Sequence, residues 1–183
     1  MGIGQGVEVL VGRRQGEERP DLSEKTAWTG ALLATGWMAL VAVLYCTVPG
    51  LMVWPFAHEM KPEVWLTVGP LVPVLLRYVA AYSLADGVNI VMSYALRGAG
   101  DTRAMCAAAI GLSWPLMVFP TWLASREVWG REVALTAAWL SATLYVVAVA
   151  AVFALRFRGG KWRTMKVIEA AVTEDAELAE QAA

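Results

Sequence analysis

The chain has 183 residues, of which 58% are hydrophobic and 17% charged, and its mean hydropathy is +0.52. Soluble domains carry about 25% charged and about 45–50% apolar residues, so this composition excludes an ordinary water-soluble domain and predicts an integral membrane protein. The net charge of −1 argues against a nucleic-acid partner, which requires a basic surface. One histidine, two cysteines and no nucleophile–base constellation argue against an enzyme, a metal cluster and a disulfide scaffold.

The first 25 residues come before any segment that is long enough to cross a bilayer. The segment from residue 2 to residue 12 is apolar apart from Gln5 and Glu8. We therefore predict that residues 1–14 are the end of a truncated transmembrane helix. Residues 15–25 are rich in charge and are predicted to form a cytoplasmic loop.

Four later segments are apolar and long enough to cross a bilayer as helices, which takes about 20 residues. The first lies in a charge-free run and is expected to end before Pro49. The third is interrupted by Pro115 and Pro120. The predicted spans are residues 27–48, 75–96, 104–123 and 133–155, within a helical region 26–164 that precedes a cytoplasmic tail at 165–183.

Basic residues are distributed unevenly among the segments that connect these spans. Eleven of the fifteen Lys and Arg residues lie in residues 13–25, 97–103 and 156–166. The alternate connections hold only Lys61, Arg126 and Arg131. Because cytoplasmic segments carry the excess of Lys and Arg, this pattern predicts a multi-pass protein with its C-terminus in the cytoplasm.

Asp86 is the strongest candidate functional residue. It lies near the middle of the second span, where an ionised carboxylate costs about 2.5–3.5 kcal/mol. Tyr82, Asn89 and Ser93 lie at helical spacing from it and share its face. Carboxylate and phenol oxygens suit a proton or Na⁺, so we predict a cation site at Asp86 and Tyr82, with Asn89 and Ser93 lining a polar pathway. The alternative is a structural stripe that hydrogen-bonds to neighbouring helices.

Gln5 and Glu8 are weaker candidates, in the first segment of the chain. Both are polar residues in an otherwise apolar helix, and on this hypothesis they line the same pathway. Glu8 also lies close in sequence to Arg13. The alternative interpretation is therefore an ion pair between Glu8 and an arginine at the end of that helix.

Small residues predict a turn and several helix contacts. Gly98 and Gly100 predict a tight turn between the second and third spans, and Asp101 or Thr102 is predicted to cap the next helix. No strand precedes this segment, so a nucleotide loop is not predicted. The residues expected at helix contacts are Gly30, Gly36, Ala107 and Gly111.

Several of these segments, in this order, resemble a known transporter family. The run Tyr82-Ser-Leu-Ala-Asp86-Gly-Val-Asn, leading into Leu96-Arg-Gly-Ala-Gly-Asp-Thr102, resembles the tenth span and following loop of multidrug and toxic compound extrusion (MATE) transporters. The opening Gly4-Gln-Gly and Leu10-Val-Gly-Arg-Arg-Gln-Gly16 are similar to the end of that family's eighth span and its loop. The resemblance covers roughly residues 1–169.

The resemblance implies a fold, an activity and a set of partners. It implies half of a two-lobe, all-α antiporter in the plasma membrane, here with four transmembrane helices plus a truncated N-terminal one. Such proteins export cationic, often aromatic compounds in exchange for H⁺ or Na⁺, and the family's cation-site tyrosine and aspartate fall on Tyr82 and Asp86. The implied partners are the lipid bilayer, the small-molecule substrates and an N-terminal lobe, with no cofactor beyond the coupling ion. Since this lobe is missing, we expect the chain to be a partial one.

Two alternative functions are left open by the sequence. One is a lipid-linked oligosaccharide flippase of the same superfamily, which would place the same helices in a different transport reaction. The other is a non-transporting membrane scaffold or a decayed fragment, in which the polar stripe would have no partner.

Overall fold

The computed structural model describes residues 1–59, 61–126 and 130–165, which form helices joined by short turns. The helices in chain order are α1 Gly2–Gly16, α2 Pro20–Thr47, α3 Pro49–Glu59, α4 Pro62–Val68, α5 Val72–Gly98, α6 Thr102–Ser113, α7 Phe119–Ala124 and α8 Arg131–Arg158. A π-helical turn, Trp114–Val118, joins α6 to α7, and a 3-10 turn, Lys161–Thr164, follows α8. Residues 166–183, which hold nearly all of the predicted tail, lie outside the described residues.

Four helical segments are long and apolar enough to cross a membrane, as the sequence predicts. They are Pro20–Thr47, Val72–Gly98, Thr102–Ala124 and Glu132–Arg158. Most side chains on their outer surfaces are large and apolar, such as Leu32, Trp37 and Leu144. Since water would disfavour this surface and lipid would not, the chain is an all-α membrane protein.

The connection between α1 and α2 is shorter than predicted. The segment 15–25 was expected to be a loop, but α1 continues to Gly16 and α2 already begins at Pro20. Pro20 occupies the first turn of α2, where a missing N–H costs nothing, and Asp21 lies in the same turn, where its charge is favourable. The loop is therefore confined to residues 17–19, with Glu18 at a positive φ of 57°.

The third span is interrupted where its first proline lies. Pro115 is within the π-helical turn Trp114–Val118, between α6 and α7. Proline removes a backbone donor and clashes with the preceding turn, so a widened turn is the expected local response.

The core of the bundle lies at the end that carries the basic residues, which we call the basic end. Helix α5 is central, because it packs against α1, α2 and α8. The buried apolar side chains of these helices form one cluster, which the 3-10 turn completes with Trp162. The largest fully buried members are Trp162, Phe157, Met92, Leu96 and Val11.

Glycines allow α5 to approach its neighbours closely. A Cβ at Gly98 would overlap the backbone oxygen of Glu8 in α1, and a Cβ at Gly87 would lie 3.2 Å from the Cα of Thr35 in α2. Gly30 is also a contact, against Val7. The other predicted contacts are wrong for the described part of the chain, because a Cβ at Gly36 or Gly111 would meet nothing within 4 Å and Ala107 is exposed.

Candidate cation site

The four predicted residues of the polar stripe lie on one face of α5. Tyr82, Asp86, Asn89 and Ser93 are all half-buried. Asn89 Nδ2 donates a hydrogen bond to Asp86 Oδ1 over 3.3 Å, so these two side chains meet. Ser93 Oγ instead donates to the backbone oxygen of Ile90, 2.7 Å away in the same helix. The described hydrogen bonds thus join Asp86 to Asn89, while Tyr82 and Ser93 share the same face of α5 without a hydrogen bond to either of them.

Asp86 has no partner of opposite charge among the described residues. Within the described part of the chain it forms no ion pair, and its hydrogen-bond partner is a neutral amide. The described residues also contain no group of three or more His, Cys, Asp and Glu side chains that could hold a metal ion. A carboxylate that has no charged partner and lies next to a neutral amide can hold a proton or one monovalent cation.

A further polar group lies beside the stripe, at the crossing of α2 and α5. The Oγ1 atom of Thr35 is buried and has no hydrogen-bond partner. Thr35 packs against Gly87, the residue that follows Asp86. The sequence alone could not have indicated Thr35, because no pattern within α2 fixes which of its residues meets α5.

The two weaker candidates in α1 have different surroundings. Gln5 is exposed. Glu8 is half-buried, and its Oε1 atom lies 3.8 Å from Nε of Arg97 at the end of α5. The structure therefore brings Glu8 to an arginine, as the alternative interpretation predicts, but this arginine belongs to a neighbouring helix and not to the end of α1.

The turn after α5 differs from the prediction in the role of Asp101. Helix α5 ends at the buried Gly98, Gly100 has a positive φ of 85°, and the exposed Thr102 begins α6, as a tight turn requires. Asp101 occupies the N-cap position, but its side chain makes no capping hydrogen bond. The prediction of a side-chain cap is wrong for Asp101, because a stronger, charged partner takes its carboxylate.

That partner is Arg156, near the end of α8. Arg156 Nε lies 2.7 Å from Asp101 Oδ2, and its Nη2 atom lies 3.2 Å from Oδ1. Asp101 is only 3% exposed. A two-point guanidinium–carboxylate pair in such a site joins the turn after α5 to α8.

The three basic segments of the chain come together at the basic end. Gln15 Nε2 donates to the backbone oxygens of Trp162, Arg163 and Met165, at 3.0–3.2 Å. Arg163 pairs with Glu24 in the first turns of α2. Together with the Asp101–Arg156 pair, these contacts place three segments on the same side of the bundle: residues 13–25, 97–103 and 156–165.

A cavity of about 730 Å³ lies at the other end of the stripe. It is bounded by α5, by the end of α7 and by the start of α8, and its lining includes Leu75, Tyr78, Thr121 and Ser125. Tyr78 lies one turn before Tyr82 on the same face of α5. The polar stripe therefore runs between this cavity and the Glu8–Arg97 pair.

The chain is similar in sequence to one protein family and to several multidrug resistance proteins. The model of the MatE family matches residues 1–123. A probable multidrug resistance protein NorM from Xanthomonas campestris pv. campestris is 28% identical over 159 residues, 86% of this chain and 32% of the relative. A protein of the same description from Brucella suis biovar 1 is 31% identical over 114 residues, 62% of this chain and 24% of the relative. The multidrug resistance protein NorM of Burkholderia vietnamiensis is 30% identical over 159 residues, 86% of this chain and 33% of the relative.

The chain spans between about a quarter and a third of the length of these relatives. The family match extends from α1 through α6 and the π-helical turn to α7, and it contains the whole of α5 with its polar stripe. Because this match covers more than half of the chain, the protein belongs to the MatE family, the multidrug and toxic compound extrusion family that its sequence resembles.

Proposed function

We propose that this chain forms the C-terminal lobe of a cation-coupled antiporter that exports cationic or aromatic compounds across the plasma membrane. The family match and the NorM relatives support drug export as the reaction. The unmatched length of these relatives supports an N-terminal lobe as the partner with which the chain encloses its substrate. On this proposal the protein is a transporter and not an enzyme, and it needs H⁺ or Na⁺ but no other cofactor.

Asp86 is the residue that carries the proposal. It is a half-buried carboxylate in a membrane-spanning helix, and no cation among the described residues neutralises it. A charge in this environment is expensive unless a proton or Na⁺ neutralises it. We propose that Asp86 binds this ion, with Tyr82 assisting and Asn89 orienting the carboxylate through its hydrogen bond.

The coupling follows from the difference between the loaded and the empty site. With an ion bound, Asp86 is neutral and the stripe can be enclosed by protein; without it, the carboxylate favours a conformation in which water reaches it. Gradient-driven loading and release would then bias the two lobes between their inward-open and outward-open states. The cavity at Tyr78 supports access from one end of the stripe.

The orientation of the proposed transporter rests on its basic end. The contacts of Gln15, Asp101 and Glu24 bring three basic segments to one side of the bundle. Since basic segments are retained in the cytoplasm, we propose that this side, with the C-terminus, is cytoplasmic.

The test is ethidium efflux from cells without their own drug pumps. The chain would be produced together with the N-terminal lobe from its gene, as parent, as Asp86→Asn and as Asp21→Asn. Asp86→Asn is expected to abolish efflux driven by an H⁺ or Na⁺ gradient, because an amide cannot bind and release the coupling ion. Asp21→Asn removes an exposed carboxylate at the start of α2 and is expected to transport like the parent. Gradient-driven efflux by Asp86→Asn at the parent rate would exclude the role assigned to Asp86.

A further inference from the structure

The polar stripe of α5 does not end at Ser93. Arg97 follows Ser93 by four residues and continues the same helical face to the basic end. Its guanidinium lies 4.7 Å from the ring centroid of Tyr94, and its Nε atom lies 3.8 Å from Glu8 Oε1. The stripe therefore ends in one positive and one negative side chain, about 16 Å along the helix from Asp86 at 1.5 Å per residue.

The backbones hold these two charges together. Gly98 lies directly against the backbone of Glu8, where any larger residue would overlap its oxygen, and a Cβ at Gly12 would lie 3.2 Å from the oxygen of Gly98. One turn away, the ring of Tyr94 fills the space beside Gly4. The positions of Glu8 and Arg97 are thus fixed by the crossing of α1 and α5, and not by the pairing of two free surface side chains.

The pair itself contributes little to stability. The side chains of Arg97 and Glu8 are 45% and 29% exposed, and ion pairs with this exposure contribute little to stability. The close packing at Gly98 would hold the helices together without either charge. The property of the pair that bears on the stripe is therefore the electrostatic potential that it creates at the end of the stripe.

We propose that Glu8 and Arg97 form a charged mouth that controls how fast cations pass between the basic end and Asp86. This inference rests on the proposed function, since it concerns the path to the same carboxylate. The positive charge of Arg97 repels cations at the last turn of the stripe, and Glu8 offsets this repulsion. Charged side chains at the end of a polar surface in a low-dielectric environment change local ion concentrations and rates of approach severalfold or more.

Three other arginines at the basic end are paired with carboxylates other than Glu8. Arg156 is held by Asp101, Arg163 by Glu24 and Arg13 by Glu17. Arg97 is the basic residue that α5 places at the end of the stripe itself. The balance between Arg97 and Glu8 therefore contributes directly to the electrostatic potential next to Ser93.

The test uses a thiol at Ser93 as a probe of that potential. In the purified chain in lipid nanodiscs, the exposed Cys46 and Cys106 are replaced by Ala and Ser93 by Cys. We then compare the rates at which this thiol reacts with a positively charged reagent, trimethylammonium-ethyl methanethiosulfonate, and with a negatively charged one, sulfonatoethyl methanethiosulfonate. The ratio of the cationic rate to the anionic rate reports the potential at the mouth and cancels differences in general accessibility.

Opposite shifts of this ratio are expected for the two charges. Glu8→Gln should lower the ratio, and Arg97→Gln should raise it, each on the order of threefold or more. Arg97→Lys keeps the charge and should keep the parent ratio, which separates charge from shape. Arg103→Gln and Glu17→Gln, which change exposed charges at the same end, are the matched controls and should change the ratio much less.

Two results would overturn the proposal: no reaction of the Ser93→Cys thiol, or shifts for Glu8→Gln and Arg97→Gln no larger than those of the controls. The labelling does not require transport. If Asp86→Asn transports normally, the proposed coupling role of Asp86 is excluded, but the labelling ratio still measures the potential at Ser93. If Glu8→Gln and Arg97→Gln leave the labelling ratio unchanged, the proposed charged mouth is excluded, but the role of Asp86 is not affected.

Discussion

At the scale of single residues, Asp101 shows how a side chain can have the expected position and a different partner. Its place before α6 is that of an N-cap, and an aspartate there ordinarily accepts a hydrogen bond from the helix. Arg156 reaches the same carboxylate from α8 and makes two charged contacts with it. The sequence indicates the cap position because it is local, but the pairing joins residues 55 positions apart and follows from the packing of α8.

We predict that this ion pair matters for stability. Asp101→Asn should lower the free energy of unfolding by about 1–3 kcal/mol, because it leaves the guanidinium of Arg156 without its charged partner in a largely enclosed site. Thermal unfolding in detergent, read as a change in Tm, measures this. Glu17→Gln is the control, because it breaks the exposed Arg13–Glu17 pair, whose Nε–Oε1 distance of 2.8 Å is close to the 2.7 Å Nε–Oδ2 distance of the Arg156–Asp101 pair. This variant should lower the free energy of unfolding by less than about 1 kcal/mol. Equal losses of Tm in the two variants would contradict the prediction.

The candidate site was predictable from the sequence to the extent that it lies within one helix. Tyr82, Asp86, Asn89 and Ser93 are related by helical spacing alone, and the structure places them on one face of α5. Thr35 and the Glu8–Arg97 pair depend on how α1 and α2 cross α5. The spacing of residues within a helix contains no information about that register.

At the scale of the helices, the contacts are decided by which glycine faces a neighbour. Gly30 and Gly36 look equivalent in the sequence of α2, but only Gly30 is packed, against Val7. The closest approach of α1 to α5 instead uses Gly98, which the sequence indicates only as part of a turn. Small residues thus predict that close contacts exist, whereas the three-dimensional packing decides where.

A matched pair of substitutions tests this crossing. Gly98→Ala should destabilise the protein by about 1–3 kcal/mol, because the added methyl overlaps the backbone of Glu8, which cannot move independently of α1. Gly36→Ala adds the same methyl where nothing lies within 4 Å, and should be neutral or slightly stabilising, since alanine favours a helix interior. Tm values that fall equally, or that do not fall for Gly98→Ala, would show that the α1–α5 crossing is looser than described.

At the scale of the whole molecule, the sequence is sufficient to predict the number and the approximate positions of the four spans. The reason is that the thickness of the bilayer sets the length of an apolar helix that can cross it, whatever that helix packs against. The loop predicted at residues 15–25 is shorter in the structure because α1 continues to Gly16 and α2 already begins at Pro20, and proline and aspartate both favour the first turn of a helix. The packing itself concentrates at the basic end, where Trp162 closes the core and stacks on Phe157 with ring centroids 4.6 Å apart. From the partly exposed Glu8–Arg97 pair beside this core, the stripe extends toward the cavity at Tyr78.

The measurement that tests the central claim most directly is infrared spectroscopy of the carboxyl group of Asp86 in the purified chain. The account predicts that loading the protein with the coupling ion, H⁺ or Na⁺, changes the carboxyl bands of the parent, and that this change is missing from the spectrum of Asp86→Asn. Glu8→Gln should retain the change, since the Glu8 carboxylate belongs to the Glu8–Arg97 pair. The same ion-dependent change in Asp86→Asn as in the parent would contradict the assignment of Asp86 as the cation site.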